Sequence, residues 1–200
     1  MNILEYITNS IKLYGFNDKA YKYIGEKVDW VEAYLIHIVF GVLGMMLGAL
    51  INREFIVDYF FYFFILITII LLGPFVLYGL THLFFKMQGG KAKFTDFFKY
   101  CFSLGIVFSF IKIISFIVIL IVKNLDFYLM FDSLKIINRG LIVMFVIYSL
   151  VVSIKTLSKL QNVSVSRGFM AIVIFPIITF SILFILLLIL MTIGFLAKIS

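Results

Sequence analysis

The sequence predicts an all-α fold: a polytopic membrane protein with five transmembrane helices and an N-terminal interfacial amphipathic helix. Three observations predict it. Residues 59–85 contain no formally charged side chain, and a bilayer core about 30 Å thick needs about 20 apolar residues at 1.5 Å each. Four further apolar runs accompany that one. Of the 200 residues, 64% are hydrophobic and 14% charged, where soluble domains carry about a quarter charged.

The chain divides into an arm, 1–30, and a membrane domain, 31–200. In the arm, residues 3–14 place Ile3, Leu4, Ile7, Ile11 and Tyr14 on one helical face and Glu5, Thr8, Asn9 and Lys12 on the other. That is a helix lying flat in the interface or packing on a partner. The segment 15–30 mixes Lys, Asp and Tyr and is expected to follow the headgroups, with Trp30 as an aromatic belt residue. The arm lacks the uninterrupted apolar core of a cleavable signal peptide, so the first span is expected to serve for targeting.

Span one covers about 31–51. Gly41, Gly44 and Gly48 lie on it, and Gly44 and Gly48 form a G-x-x-x-G step suited to close helix packing. A short turn with Arg53, Glu54 and Asp58 leads to span two, about 59–85, in which Gly73-Pro74 predicts a kink. Gly89-Gly90 then stops the helix. Thr95 is the expected N-cap of span three, about 97–122, with Asp96 favourably placed against the helix dipole. Lys123 to Arg139 reads as a second interfacial stretch. Span four covers about 140–158 and ends near Lys155, which can snorkel. Ser166 and Arg167 read as an N-cap and a surface anchor opening span five, about 169–195, which contains Pro176.

The net charge of +7 would suggest nucleic acid in a soluble protein, but here the bases flank apolar runs and act as membrane anchors. No nucleic-acid partner is expected. With the N-terminus inside, eleven bases fall in inner segments and five in outer ones. This favours a cytoplasmic N-terminus, a C-terminus outside and residence in the cell membrane. The single cysteine, Cys101, excludes an internal disulfide. The excess of Phe, Ile, Lys and Tyr points to an AT-rich prokaryotic genome.

The order of these features resembles the Yip domain family, the Ypt-interacting proteins and their prokaryotic relatives. The resemblance rests on Gly89-Gly90-Lys91-Ala92-Lys93-Phe94 after a long helix carrying Gly73-Pro74. It rests also on Leu160-Gln161-Asn162-Val163-Ser164 followed by Ser166-Arg167-Gly168. It covers about 60–195 and implies five spans, a cytosolic N-terminus, membrane-protein partners and no catalytic residues. Eukaryotic members bind Rab-type GTPases in vesicle traffic. This chain departs from them at Leu13-Tyr14-Gly15-Phe16, which lacks their acidic, proline-containing signature, and near Gly105, where a proline is usual.

Among candidate sites, Lys112 sits near mid-span three. Cys101, Gly105, Ser109, Lys112 and Ser115 share a small, polar stripe that is expected to face protein or water. No carboxylate lies at mid-depth to pair with Lys112. The lysine snorkels, bonds backbone carbonyls loosened at Pro74 or Pro176, loses its proton on burial, or holds an anion or lipid phosphate. His37, His82 and Cys101 fall at similar depth, but no H-x-x-x-H or C-x-x-C spacing supports a metal, and helix–helix hydrogen bonding is the expected role. The Gly-Gly loop with Lys91, Lys93 and Lys99 reads as a cap with basic anchors, with phosphate binding as the alternative; it is not a P-loop. No Ser-His-Asp set, paired intramembrane carboxylates or H-E-x-x-H is present. The expected function is therefore that of a non-enzymatic scaffold or adaptor without a cofactor, docking partners or a second copy through the Gly41–Gly44–Gly48 face and the basic loops. A small permease or channel component, with Lys112 lining an anion or lipid pathway, is the alternative.

Overall fold

The computed structural model describes residues 1–52, 59–124 and 128–199, with side chains described except at 49–52, 59–66, 123–124, 128–135 and 193–199. Arg53, Glu54, Asp58 and Asp126 therefore lie outside the described residues. In order, the elements are α1 (Ile3–Leu13), α2 (Asp18–Lys27), α3 (Trp30–Asn52), α4 (Tyr59–Met87), α5 (Phe94–Asn124) and α6 (Tyr128–Gln161). Then come α7 (Val165–Phe169), a π-helical turn (Met170–Ile174) and α8 (Phe175–Ile199). Five helical stretches are long and apolar enough to cross a membrane: Trp30–Gly48, Ile67–Met87, Phe94–Val122, Ile136–Gln161 and Val165–Thr192. Each coincides with one expected span.

The helix boundaries differ from the sequence reading in informative ways. Within the stretch Lys123–Arg139, α6 already starts at Tyr128 and continues unbroken into the fourth span, 34 residues in all. Polar residues mark where lipid ends, and without a proline they do not end a helix. Thr95 is not the N-cap of α5, because the helix already begins at Phe94 and the Phe97 N–H bonds the Lys93 carbonyl at 3.0 Å. Nor is Ser166 a cap. Ser164 is, its side chain accepting from the Arg167 N–H at 3.4 Å.

The arm contains a second helix that the sequence reading left as a headgroup-hugging segment. Asn17 caps α2 by accepting from the Ala20 N–H at 3.0 Å, as Asn2 caps α1 through Leu4 and Glu5. The apolar arc of α1 is split. Tyr6, Ser10, Leu13 and Tyr14 are buried against the bundle, while Ile3, Leu4 and Ile11 remain exposed. One half of the arc docks on protein, and the other half is free to enter the interface.

α5 and α6 explain why the arm docks where it does. With 31 and 34 residues they extend about 46 and 51 Å, well beyond the 30 Å hydrocarbon core. The N-terminal half of α5 and the C-terminal half of α6 form the surface on which α1 and α2 dock. The Tyr14 hydroxyl donates to the Leu104 carbonyl at 3.0 Å and pairs with the Ser149 hydroxyl at 2.8 Å, while the Tyr148 hydroxyl donates to the Tyr14 carbonyl. On α2, the Tyr21 carbonyl accepts from the Tyr100 hydroxyl at 2.7 Å, and the Gly25 carbonyl accepts from Lys99 at 3.3 Å. Tyr6, Ala20 and Ile24 are fully enclosed by these contacts. Enclosure pushes the Tyr6 phenol up to about 12, opposed in part by its bond with Ser103.

Inside the bundle α3 packs along α5. The glycine face of α3 is occupied within the chain. A Cβ on Gly41 would meet Ile70 of α4 at 3.2 Å, and Cβ atoms on Gly44 and Gly48 would meet Ile113 and Phe116 of α5 at 3.8 and 3.4 Å. These glycines bring spans together and are not a free docking face, which corrects that part of the sequence reading. An aromatic cluster fills the space between α3, α4 and α5: Phe75 lies 4.7 Å from Tyr34 and 5.5 Å from Phe98, ring centre to ring centre. The Tyr34 hydroxyl donates to the Leu71 carbonyl at 2.8 Å, next to the carbonyl of Ile70 that Pro74 leaves without its helical donor. Pro176 is accommodated differently. The π turn, in which Phe175 N–H bonds the Met170 carbonyl, widens the helix one residue before the proline.

Candidate functional site

Three helices end in the same way on the side of the bundle that carries α1 and α2. After α1, α4 and α6 the residue in left-handed conformation is Phe16 (φ 55°), Gly89 (φ 87°) and Asn162 (φ 55°). At Gly89 the next N–H, from Gly90, reaches back to the Phe85 carbonyl at 2.9 Å while Gly89 N–H bonds the Lys86 carbonyl at 3.0 Å. This Schellman pattern satisfies carbonyls that the helix end would leave unpaired. Asn162 repeats it, with Val163 N–H on the Ser158 carbonyl at 3.0 Å.

The ends of α4 and α6 are then clamped to each other by Gln161. Its backbone carbonyl accepts from the Lys91 N–H at 3.0 Å, its Oε1 accepts from the Ala92 N–H at 3.1 Å, and its Nε2 lies 3.1 Å from His82 Nδ1. Gln161 is fully buried, so these partners replace water. Gly90 must be glycine here: a Cβ would sit 2.5 Å from Gln161 Oε1 and 2.8 Å from the Phe85 carbonyl oxygen. Arg167 closes the same joint from α7 by donating to the Gln88 carbonyl at 3.2 Å. Gly168 lets α7 press against α6, where a Cβ would overlap Ser158. Phe94 lies 4.3 Å from Phe98 and edge-on to His82 at 5.4 Å. The structure thus gathers Gly89, Gly90, Phe94 and Arg167 at one joint, with Ser166 exposed on the first turn of α7 beside it. In the sequence Gln161 stands out only as one residue of the polar loop Leu160-Gln161-Asn162-Val163-Ser164. Asn162, a residue that tolerates left-handed backbone, was the signal that the helix ended there.

Beneath this platform lies a cavity of about 350 Å³, lined from every span. His37 comes from α3, Tyr78 and Thr81 from α4, Cys101, Gly105 and Ser109 from α5, and Ser149 and Ser153 from α6. Ile172 and Pro176 of the last span close it. No charged side chain lines it. His37 Nδ1 is enclosed without a hydrogen-bond partner among the described residues. Gly105 gives the ring its room, since a Cβ there would lie 2.8 Å from His37 Cε1 and 3.1 Å from the Tyr78 hydroxyl.

The polar stripe of α5 is divided by this geometry. Cys101, Gly105 and Ser109 face the cavity. Lys112 does not line it; its side chain is exposed, with Nζ 5.7 Å from the centre of the Phe116 ring. Ser115 lines a separate cavity of about 210 Å³ with Asn138 and apolar neighbours on α5 and α6. His37 and Cys101 share the large cavity, whereas His82 faces Gln161, Phe94 and Phe97. Among the described residues no three His, Cys, Asp or Glu side chains are placed to hold a metal ion.

The sequence model of the Yip1 domain matches residues 16–190. No curated protein and no solved structure matches the chain. The match takes in α2, four whole spans, nearly all of the fifth and both loops of the clamped joint. With most of its length covered, the chain belongs to the Yip1 domain family, as a multi-pass membrane protein.

Proposed function

We propose that this protein is a non-enzymatic scaffold or adaptor of the cell membrane, with its N-terminus cytoplasmic and its C-terminus outside. One observation carries the reading: α1, α2 and the two clamped loops are tied together by named hydrogen bonds at one end of the bundle, where they make a platform. That side holds eleven bases, from Lys12 to Arg167, against six acids, from Glu5 to Asp96. Lys91, Lys93 and Arg167 are exposed at the clamped joint. The excess of base supports a cytoplasmic placement and contact with an acidic protein surface. The partner would read a surface whose shape is held by Gln161 and the Gly89-Gly90 turn. The reading needs no cofactor and no catalytic step.

A second reading, a small permease component, draws on the large cavity. It gains no support for an anion path, because Lys112 is not among the lining residues and none of them is charged.

Crosslinking mass spectrometry on native membranes tests the proposal. A recurrent protein partner is expected, crosslinked through Lys91, Lys93 or the lysines of α1 and α2. Charge reversal at Lys91, Lys93 and Arg167 together should remove that partner without lowering membrane insertion. No recurrent partner, or a partner indifferent to the reversal, would overturn the reading.

A further inference from the structure

The geometry points to a binding site for a membrane lipid with an uncharged, hydroxyl-bearing head, of the diacylglycerol type. The inference is independent of the adaptor reading. It rests on two adjoining spaces. The first is the cavity of about 350 Å³ described above, enough for about twelve water molecules at roughly 30 Å³ each. The second is a groove of about 440 Å³ between α4 and α8, lined by apolar side chains such as Leu72, Val76, Leu80, Phe180 and Leu183. Leu77, Thr81 and Pro176 line both, so the two spaces adjoin at these residues.

The chemistry of each half selects the matching half of the ligand. In the cavity the polar groups are neutral: hydroxyls of Tyr78, Thr81, Ser109, Ser149 and Ser153, and the imidazole of His37. Ser149 is already engaged by Tyr14, and Thr81 donates to the Leu77 carbonyl at 2.7 Å. His37 Nδ1 has no protein partner among the described residues but is closed off against Gly105, so Tyr78, Ser109 and Ser153 are the polar groups left to meet a ligand. A phosphate or ammonium head would enter without a counter-charge, which a site inside the bilayer strongly disfavours. A glycerol head with ester carbonyls and one free hydroxyl offers donors and acceptors without charge. The groove then takes an acyl chain, and the second chain remains in the bilayer. Pro176 and the π turn before it sit where head and chain join, at the bend between polar and apolar space.

The test uses the full chain in phosphatidylcholine nanodiscs containing a small fraction of diacylglycerol with a photoactivatable acyl chain. Labelled peptides should map to Leu72–Phe84 and Thr179–Leu183, which line the groove that takes the acyl chain. Excess unlabelled diacylglycerol should compete, and phosphatidylglycerol should not. Filling the cavity by Ser153→Phe or Ser109→Leu should lower labelling at least about tenfold, equivalent to about 1.4 kcal/mol. Ser115→Phe, in the other cavity, should leave it unchanged. Labels spread evenly over the five spans would overturn the proposal, and so would equal competition by phosphatidylglycerol. Unchanged labelling in a folded cavity-filling variant would mean that the cavity takes water alone. If neither filling variant folds, the site map and the competition in the unaltered protein decide the matter.

Discussion

Gln161 reaches His82 across the joint between α6 and α4, with Nε2 and Nδ1 3.1 Å apart, while the other end of the same amide holds the Ala92 N–H. One side chain therefore ties together two spans and the loop that follows the first of them. Its removal leaves a part-buried backbone donor and a buried imidazole nitrogen without partners.

Gln161→Ala should lower stability by about 3 kcal/mol, at roughly 1–3 kcal/mol for each stranded buried group. His82→Phe, which preserves the ring packing on Phe97, should cost less. The double variant should fall short of the sum by about 1 kcal/mol, because both changes break the same bond. Denaturant unfolding in detergent micelles measures all three; strict additivity would contradict the clamp.

The glycines separate in the same assay. Gly90→Ala drives a methyl group toward Gln161 Oε1 and the Phe85 carbonyl and should cost about 1–3 kcal/mol. Gly79→Ala meets nothing within 4 Å and should be neutral or stabilising by up to about 1 kcal/mol. Equal effects at the two positions would show that loop and α6 are not in contact.

Tyr6 gives the arm a pH dependence. Its folded-state pKa of about 12 exceeds the ordinary 10.0 because burial disfavours the phenolate. Below pH 10 both states hold the proton and the stabilisation is complete. As pH rises from 10 to 12 only the unfolded or detached arm loses it, so docking weakens by about 3 kcal/mol over that window. Tyrosinate absorbance should report the late titration, and Tyr6→Phe should flatten the slope. Undocking that is independent of pH in this range would contradict burial of Tyr6.

The ion pair between Lys159 and Asp18 should matter little, despite its short contact. Both side chains are more than half exposed, and such pairs contribute about 0–1 kcal/mol. Asp18→Asn should leave the unfolding midpoint nearly unchanged. A larger loss would mean that the pair, and not the buried face of α2, holds the arm in place.

How much of this was visible in the residues depends on the range of the interaction concerned. The five spans were legible because lipid selects on local hydropathy. Gly89 was legible because a left-handed turn favours glycine at a single position. The second arm helix was not, since α2 is polar overall and is tied to the bundle by contacts distant in sequence, such as the Tyr21 carbonyl with the Tyr100 hydroxyl 79 residues away. Helical spacing put Ser109 and Lys112 on one stripe, yet only neighbouring helices decide which part of a stripe is covered, and they cover Cys101 to Ser109 and leave Lys112 exposed. The role of Gln161 was hidden for the same reason: its partners lie 69 and 79 residues away.

The central claim is that the arm and both clamped loops stand on one side of a five-span bundle. Single cysteines in a Cys101→Ala background, probed in sealed vesicles with a membrane-impermeant maleimide, test it most directly. Cysteines at Asn9, Lys91 and Val165 should all react from one side, and those at Asn52 and Asn124, at the far ends of α3 and α5, only from the other. If Asn9, Lys91 and Val165 label from different sides, the platform does not exist and the account fails.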